Sequence, residues 1–165
     1  MRTPSGNIGL ERRVAADFAR ARRIALVRGV VALLSGEPNH LLPFTDVRRS
    51  LGLREEVYAG LRWAEVTQIV GSVNRVQDFD RSFLPLRSAV AERWKQVDRA
   101  YYQAVALPPP ILLQVGGFYF AYDGHNRISV ARLHGIQRLE ADIVNLPADI
   151  PLDGRIRPDD LLGPG

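Results

Sequence analysis

Apolar residues recur at Leu10, Val14, Phe18, Ala21 and Ala25, in three- and four-residue steps, while Arg12, Arg13, Arg20 and Arg23 fall mostly on other faces. That spacing predicts an amphipathic helix from Leu10 to Leu34, ended by Gly36 and Pro38. The polar residues 1–9 read as a loose terminus. Phe44 to Gly52 reads as a short helix, with Thr45 or Asp46 as its cap and Gly52 as its terminator. Residues 57–70 mix β-branched and aromatic residues, and Val66, Thr67, Ile69 and Val70 read as a strand or strand end leading into Gly71-Ser72. The polar segment Gly71 to Arg81 predicts a loop, or a loop with one helical turn. Residues 87–105 read as a helix with Ala91, Trp94, Val97 and Ala100 on one side, and Trp63 and Trp94 are assigned to the core.

Leu107-Pro108-Pro109-Pro110 is a rigid connector. Two short apolar runs, Ile111 to Val115 and Phe118 to Tyr122, flank Gly116-Gly117 and predict a hairpin. Asp123-Gly124 ends its second strand. Arg127 to Leu133 reads as a short helix closed by His134-Gly135, and Leu139 to Val144 as a further strand. Pro147, Pro151, Pro158 and Pro164 predict an extended tail. The elements together predict an α+β fold, a small mixed sheet with an N-terminal helical extension. The expected divisions are 1–9 (terminus), 10–56 (helical extension), 57–146 (sheet-containing domain) and 147–165 (tail).

Composition narrows this picture. Hydrophobic residues make up 46% of the 165, enough for a real core, and charged residues make up 24%. The absence of cysteine excludes disulfides, thiolate metal sites and a cysteine nucleophile. The longest apolar run, Ile24 to Leu34, is interrupted by Arg28 and is shorter than the roughly 20 residues a membrane helix needs. Glu11, Asp17 and Arg28 also argue against a signal peptide, so a cytoplasmic location and no membrane partner are expected. The net charge is +4 and Lys95 is the only lysine. Arginine bias of this kind reads first as GC-rich codon usage. Arg12, Arg13, Arg20, Arg22 and Arg23 nonetheless form a basic helix able to contact DNA phosphates.

The candidate chemistry lies in Asp123-Gly124-His125-Asn126-Arg127, where a strand feeds a helix N-terminus. Backbone N–H groups are unpaired there and the helix dipole is positive, so an anion is favoured. Gly124 permits positive φ or a close approach. Arg127 can fork onto phosphate oxygens, and His125 and Asn126 add donors. His125 can move a proton, and Asp123 can hold Mg²⁺ or orient a hydroxyl. The same residues are also compatible with a plain capped turn, in which Asp123 caps the helix or pairs with Arg127. In the loop before it, Ser72, Arg75 and Arg81 are candidate phosphate contacts, and Asp78 and Asp80 candidate metal ligands. That loop is equally readable as a solvated segment laced by its own salt bridges. No G-x-x-x-x-G-K-[ST] occurs, and His40, His125 and His134 lack zinc spacing.

The stretch Phe118 to Gly135 resembles the ParB/sulfiredoxin superfamily, through its strand, its Gly-x-x-Arg turn and its short helix. Gly71 to Pro85 looks like the segment preceding an Asp-Gly-His-x-Arg turn in bacterial ParB-like proteins. The resemblance implies a nucleotide-phosphate site in which Gly124 matches the family glycine and Arg127 the phosphate-binding arginine. The implied ligand is ATP or CTP with Mg²⁺, with phosphoryl transfer or hydrolysis as the associated chemistry. His125 falls where sulfiredoxin has its reactive cysteine, so sulfinic acid reduction is excluded. Asn126 replaces the second histidine of the Asp-Gly-His-His-Arg form found in kinase members. Two other classes remain open: a DNA-associated regulator, and a non-catalytic interaction module that forms a homo-oligomer.

Overall fold

The computed structural model describes residues 4–53, 55–148 and 156–163. Helix α1 spans Pro4–Ser35. It starts inside the segment expected to be loose, because proline suits the first helical position, where its missing N–H has no partner to lose. Residues 1–3 lie outside the described residues. The helix ends where Gly36 takes φ 74° and donates to the Ala32 carbonyl at 2.9 Å. Val14, Phe18, Ala21 and Ala25 are buried, so the apolar seam read from the spacing faces the core.

Strand β1 (Leu42–Pro43) leads into α2 (Phe44–Leu51), whose N-cap is Pro43 and not Thr45 or Asp46. Gly52, at φ 62°, ends it. Strands β2 (Val57–Glu65) and β3 (Ile69–Ser72) are separated by a 3-10 turn over Val66–Gln68, so of the segment read as a strand or strand end, Ile69 and Val70 are strand while Val66 and Thr67 lie in the turn. After the 3-10 turn Ser88–Val90, helix α3 covers Ala91–Tyr102. It stops short of residue 105 because the backbone turns left-handed at Ala104, φ 53°. Strands β4 (Ile111–Val115) and β5 (Phe118–Asp123) form the hairpin, followed by α4 (His125–Leu133) and β6 (Arg138–Asn145).

Among the described residues, six strands form one mixed sheet in the order β1-β3-β5-β4-β6-β2. With the helices, this is an α+β fold carrying an N-terminal helix. Strands β1, β3 and β5 are mutually parallel, β4 is antiparallel to β5 and parallel to β6, and β2 closes an edge antiparallel to β6. Leu42 of β1 pairs with Gly71 of β3, so the 10–56 segment shares the sheet of the domain that follows it.

Alternation along the strands divides the core in two. Leu112, Ala121, Ile128, Trp94, Phe18 and Ala21 share one cluster, beneath α1, α3 and α4. Leu113, Phe120, Phe44, Val47 and Leu161 share the other, beneath α2. Trp94 packs edge-on to Phe18, with centroids 5.4 Å apart, and its Nε1 donates to Ser129 Oγ at 2.8 Å. A buried indole needs such an acceptor.

Two further expectations change. Trp63 is not in the core: it is 64% exposed on edge strand β2, near exposed Val57 and Leu61. The tail is not wholly extended, because Pro158–Leu162 forms a 3-10 turn whose Leu161 is buried against α2. Residues 149–155 lie outside the described residues. No helix among the described residues is long and apolar enough to cross a membrane.

A Cβ on Gly71 would sit 2.4 Å from the Leu42 carbonyl oxygen and 2.4 Å from the Phe120 ring, whereas a Cβ on Gly117 meets nothing within 4 Å. Gly71→Ala is therefore expected to lower unfolding free energy by about 1–3 kcal/mol through overpacking, and Gly117→Ala by much less. Urea denaturation of the two variants checks this; equal losses would contradict the packing described.

Candidate anion-binding cleft

Because β3 and β5 run parallel, Ser72 and Asp123 lie at the same carboxyl end of the sheet, where open parallel sheets receive ligands. Ile111 of β4 pairs with Asp123, so the connector Leu107–Pro110 arrives at this end and forms a wall. Gly124 takes φ 89° as the N-cap of α4. A Cβ there would lie 2.8 Å from Pro110 Cβ, so both its backbone angle and its surroundings require glycine.

Among the described residues, no side chain caps α4. Its first hydrogen bond runs from Ile128 N–H to the Gly124 carbonyl at 3.1 Å. The N–H groups of His125, Asn126 and Arg127 meet no acceptor among the described residues. Among the described residues, Asp123 Oδ1 accepts only the Gly124 N–H, at 2.8 Å. The first turn lines a cleft of about 420 Å³ together with Arg75, Arg93, Asp123 and Pro108.

Arg127 lies in this cleft. Its Nη1 donates to the Leu107 carbonyl at 3.0 Å and the Pro108 carbonyl at 3.3 Å, and no carboxylate pairs with it among the described residues. Burial lowers its pKa from the ordinary arginine value, and a guanidinium stays charged under such a shift. Arg75 reaches the cleft but is also tied to Asp78 at 2.9 Å, with its guanidinium 5.1 Å above the Phe79 ring. Arg93, exposed on α3, is a cleft residue that the sequence reading missed. Nothing local marks it, since its place depends on how α3 packs on α4.

His125 is buried, and its Nε2 lies 2.7 Å from Ser72 Oγ. Ser72 Oγ already accepts the Arg75 N–H at 2.9 Å and the Asn74 N–H at 3.3 Å. Its own proton therefore points to His125 Nε2, which fixes a neutral ring protonated at Nδ1. Burial, followed by the Arg75 charge, pushes the His125 pKa down to about 4. A ring of that kind is neutral at pH 7 and weakly basic. Its role in this geometry is to hold the Ser72–Arg75 turn against α4. Asn126 lines the same cleft, and its buried Oδ1 has no hydrogen-bond partner among the described residues.

The other candidates are placed elsewhere. Arg81 is bound bidentately to Asp159, at 2.9 and 3.1 Å, so this guanidinium closes the tail onto the loop and does not face the cleft. Asp78 is shared by Arg75 and Arg87. Asp80 is fully buried, with Oδ1 accepting the Ser82 and Leu84 N–H groups at 2.9 and 3.0 Å. Desolvation raises its pKa. Asp78, Asp80 and Asp123 are not brought together as a metal site: among the described residues the one such group is Asp17, Asp98 and His134. On α1, Arg12, Arg13, Arg20 and Arg23 are exposed, while Arg22 donates to the Leu86 carbonyl.

Comparisons with protein-family models, curated proteins and solved structures gave no match to this chain.

His125 makes stability depend on pH. Above about pH 6.5 the ring is neutral in both folded and unfolded chains. As pH falls, the unfolded chain takes up a proton that the folded one refuses until about pH 4, so stability is lost across that window. The loss approaches about 3 kcal/mol at the acid end. In His125→Gln this component disappears, and the stability gap between the two proteins is expected to narrow from pH 7.5 to pH 4.5 in urea titrations. A gap that stays constant would show that the ring titrates normally.

Proposed function

We propose that this protein is a nucleotide-binding domain that holds phosphate groups at the N-terminus of α4. The observation that carries this reading is the uncapped first turn of α4, opening on a cleft where Arg93 and Arg127 have no carboxylate partner among the described residues. Free helix N–H groups and a positive dipole end favour an anion, and guanidinium forks add charge-assisted hydrogen bonds. Three guanidinium groups, of Arg75, Arg93 and Arg127, face one carboxylate, Asp123. Leu107 and Pro108 supply an apolar wall suited to a sugar or base. The orphaned Asn126 Oδ1 is a buried polar atom of the kind a ligand satisfies.

The likeness of the Asp123–Arg127 turn to ParB/sulfiredoxin proteins supports the same reading, since Gly124 and Arg127 occupy the matching positions. Mg²⁺ fits in one way. Asp123 is the exposed carboxylate at the cleft, and Mg²⁺ is commonly held by one or two carboxylates together with substrate phosphates. Binding is the function this geometry supports, with ATP or CTP as the ligand class. Any phosphoryl-transfer step would fall to Asp123 and not to the buried His125.

A thermal-shift panel of ATP, CTP, GTP and ADP, with and without Mg²⁺, tests the proposal. At about 100 times its dissociation constant the preferred nucleotide should stabilise the fold by about 2.7 kcal/mol. Arg127→Ala should abolish the shift. Arg93→Ala should weaken binding roughly tenfold while leaving the unliganded protein as stable as before. A wild-type protein indifferent to every nucleotide, or an Arg127→Ala variant that responds fully, would defeat it.

A further inference from the structure

We propose that Asp17, Asp98 and His134 form a binding site for a divalent transition-metal ion of the Zn²⁺ class, tying α1, α3 and the end of α4 together. Each residue comes from a different element, and one ligand atom from each lies within 4.8 Å of the others. His134 Nε2 is 2.6 Å from Asp98 Oδ1 and 3.8 Å from Asp17 Oδ2. In a tetrahedral zinc site, bonds of about 2.0–2.1 Å put neighbouring ligand atoms about 3.3 Å apart. The two observed distances straddle that value, so small side-chain shifts suffice.

An independent observation points to a ligand. Asp98 has 0% side-chain exposure, and its buried Oδ2 meets no hydrogen-bond donor among the described residues. Native proteins seldom leave such an oxygen orphaned. The charges are also unbalanced. Two carboxylates face a single imidazole, and no lysine or arginine pairs with either carboxylate among the described residues. A dication would neutralise both carboxylates.

The surroundings fix the candidate ligands in place. Tyr102 Oη donates to Asp17 Oδ2 at 2.6 Å, the kind of outer hydrogen bond that orients a ligating carboxylate. Tyr101 stacks on the His134 ring at 4.1 Å, and Tyr102 meets it edge-on at 5.5 Å. The site lies at the C-terminal end of α4, and the nucleotide cleft at its N-terminal end, so neither proposal depends on the other.

Equilibrium dialysis of the full chain against Zn²⁺, thermal shift with Zn²⁺, and Co²⁺ absorption test the assignment. The wild-type protein is expected to bind one ion per chain at this site, to melt at higher temperature with Zn²⁺, and to give the intense visible bands of four-coordinate Co²⁺. Asp98→Asn and His134→Gln should each lose all three responses, whereas Arg127→Ala should keep them. Should Asp98→Asn fail to fold, His134→Gln carries the comparison. Should both fail, the wild-type stoichiometry and Co²⁺ bands decide alone. No ion bound by the wild-type protein, weak six-coordinate Co²⁺ bands, or bands that persist in His134→Gln would overturn the site and leave a hydrogen-bonded Asp98–His134 pair.

Discussion

Gly124 stands at φ 89° with Pro110 packed where a Cβ would be, and this close approach fixes where α4 begins. A larger residue would push the connector away from the β5–α4 turn and lift the helix from the sheet. With glycine, the helix starts at His125, two residues after β5 ends at Asp123, and its apolar side meets the core. Ile128 and Ala131 then pack with Trp94 and Leu112, and Ser129 accepts the Trp94 indole proton. The position of α3, and of α1 packed on it through Phe18, follows from that contact.

The two ends of α4 have opposite electrostatic characters, and each is matched by its surroundings. At the N-terminus the free N–H groups lie among arginines. At the C-terminus His134 lies against two carboxylates. Nine residues separate these environments, a span of about 13 Å along the axis. Between them the helix is almost wholly buried. Polar groups that are costly to bury therefore sit at the helix ends, where the backbone itself offers unpaired groups.

The sequence was readable where a local rule decides the outcome. The seam of α1 follows helical periodicity, Gly36, Gly52 and Gly135 mark helix ends, and Gly116-Gly117 marks the hairpin. It was unreadable where packing between distant segments decides. The turn at Val66–Gln68 interrupts a β-rich run because the chain must leave one edge of the sheet and re-enter between β1 and β5. Trp63 reads as core by composition but lies on an edge strand, a matter of sheet order. Ser72 was nameable from its loop, yet its bond to His125 across 53 residues of sequence depends on β3 pairing with β5. Arg81 carries the same charge whether it faces a phosphate or Asp159, so counting charges could not choose between them. Asp17, Asp98 and His134 have no motif spacing at all.

The contrasting environments of the two tryptophans give the fold a built-in optical readout. Trp94 is fully buried beside Phe18, whereas Trp63 stands mostly in solvent on strand β2. Their emission is expected to separate into a blue component shielded from acrylamide and a red component open to it. Loosening of the helical layer would appear in the first, and pairing of the β2 edge with another chain in the second.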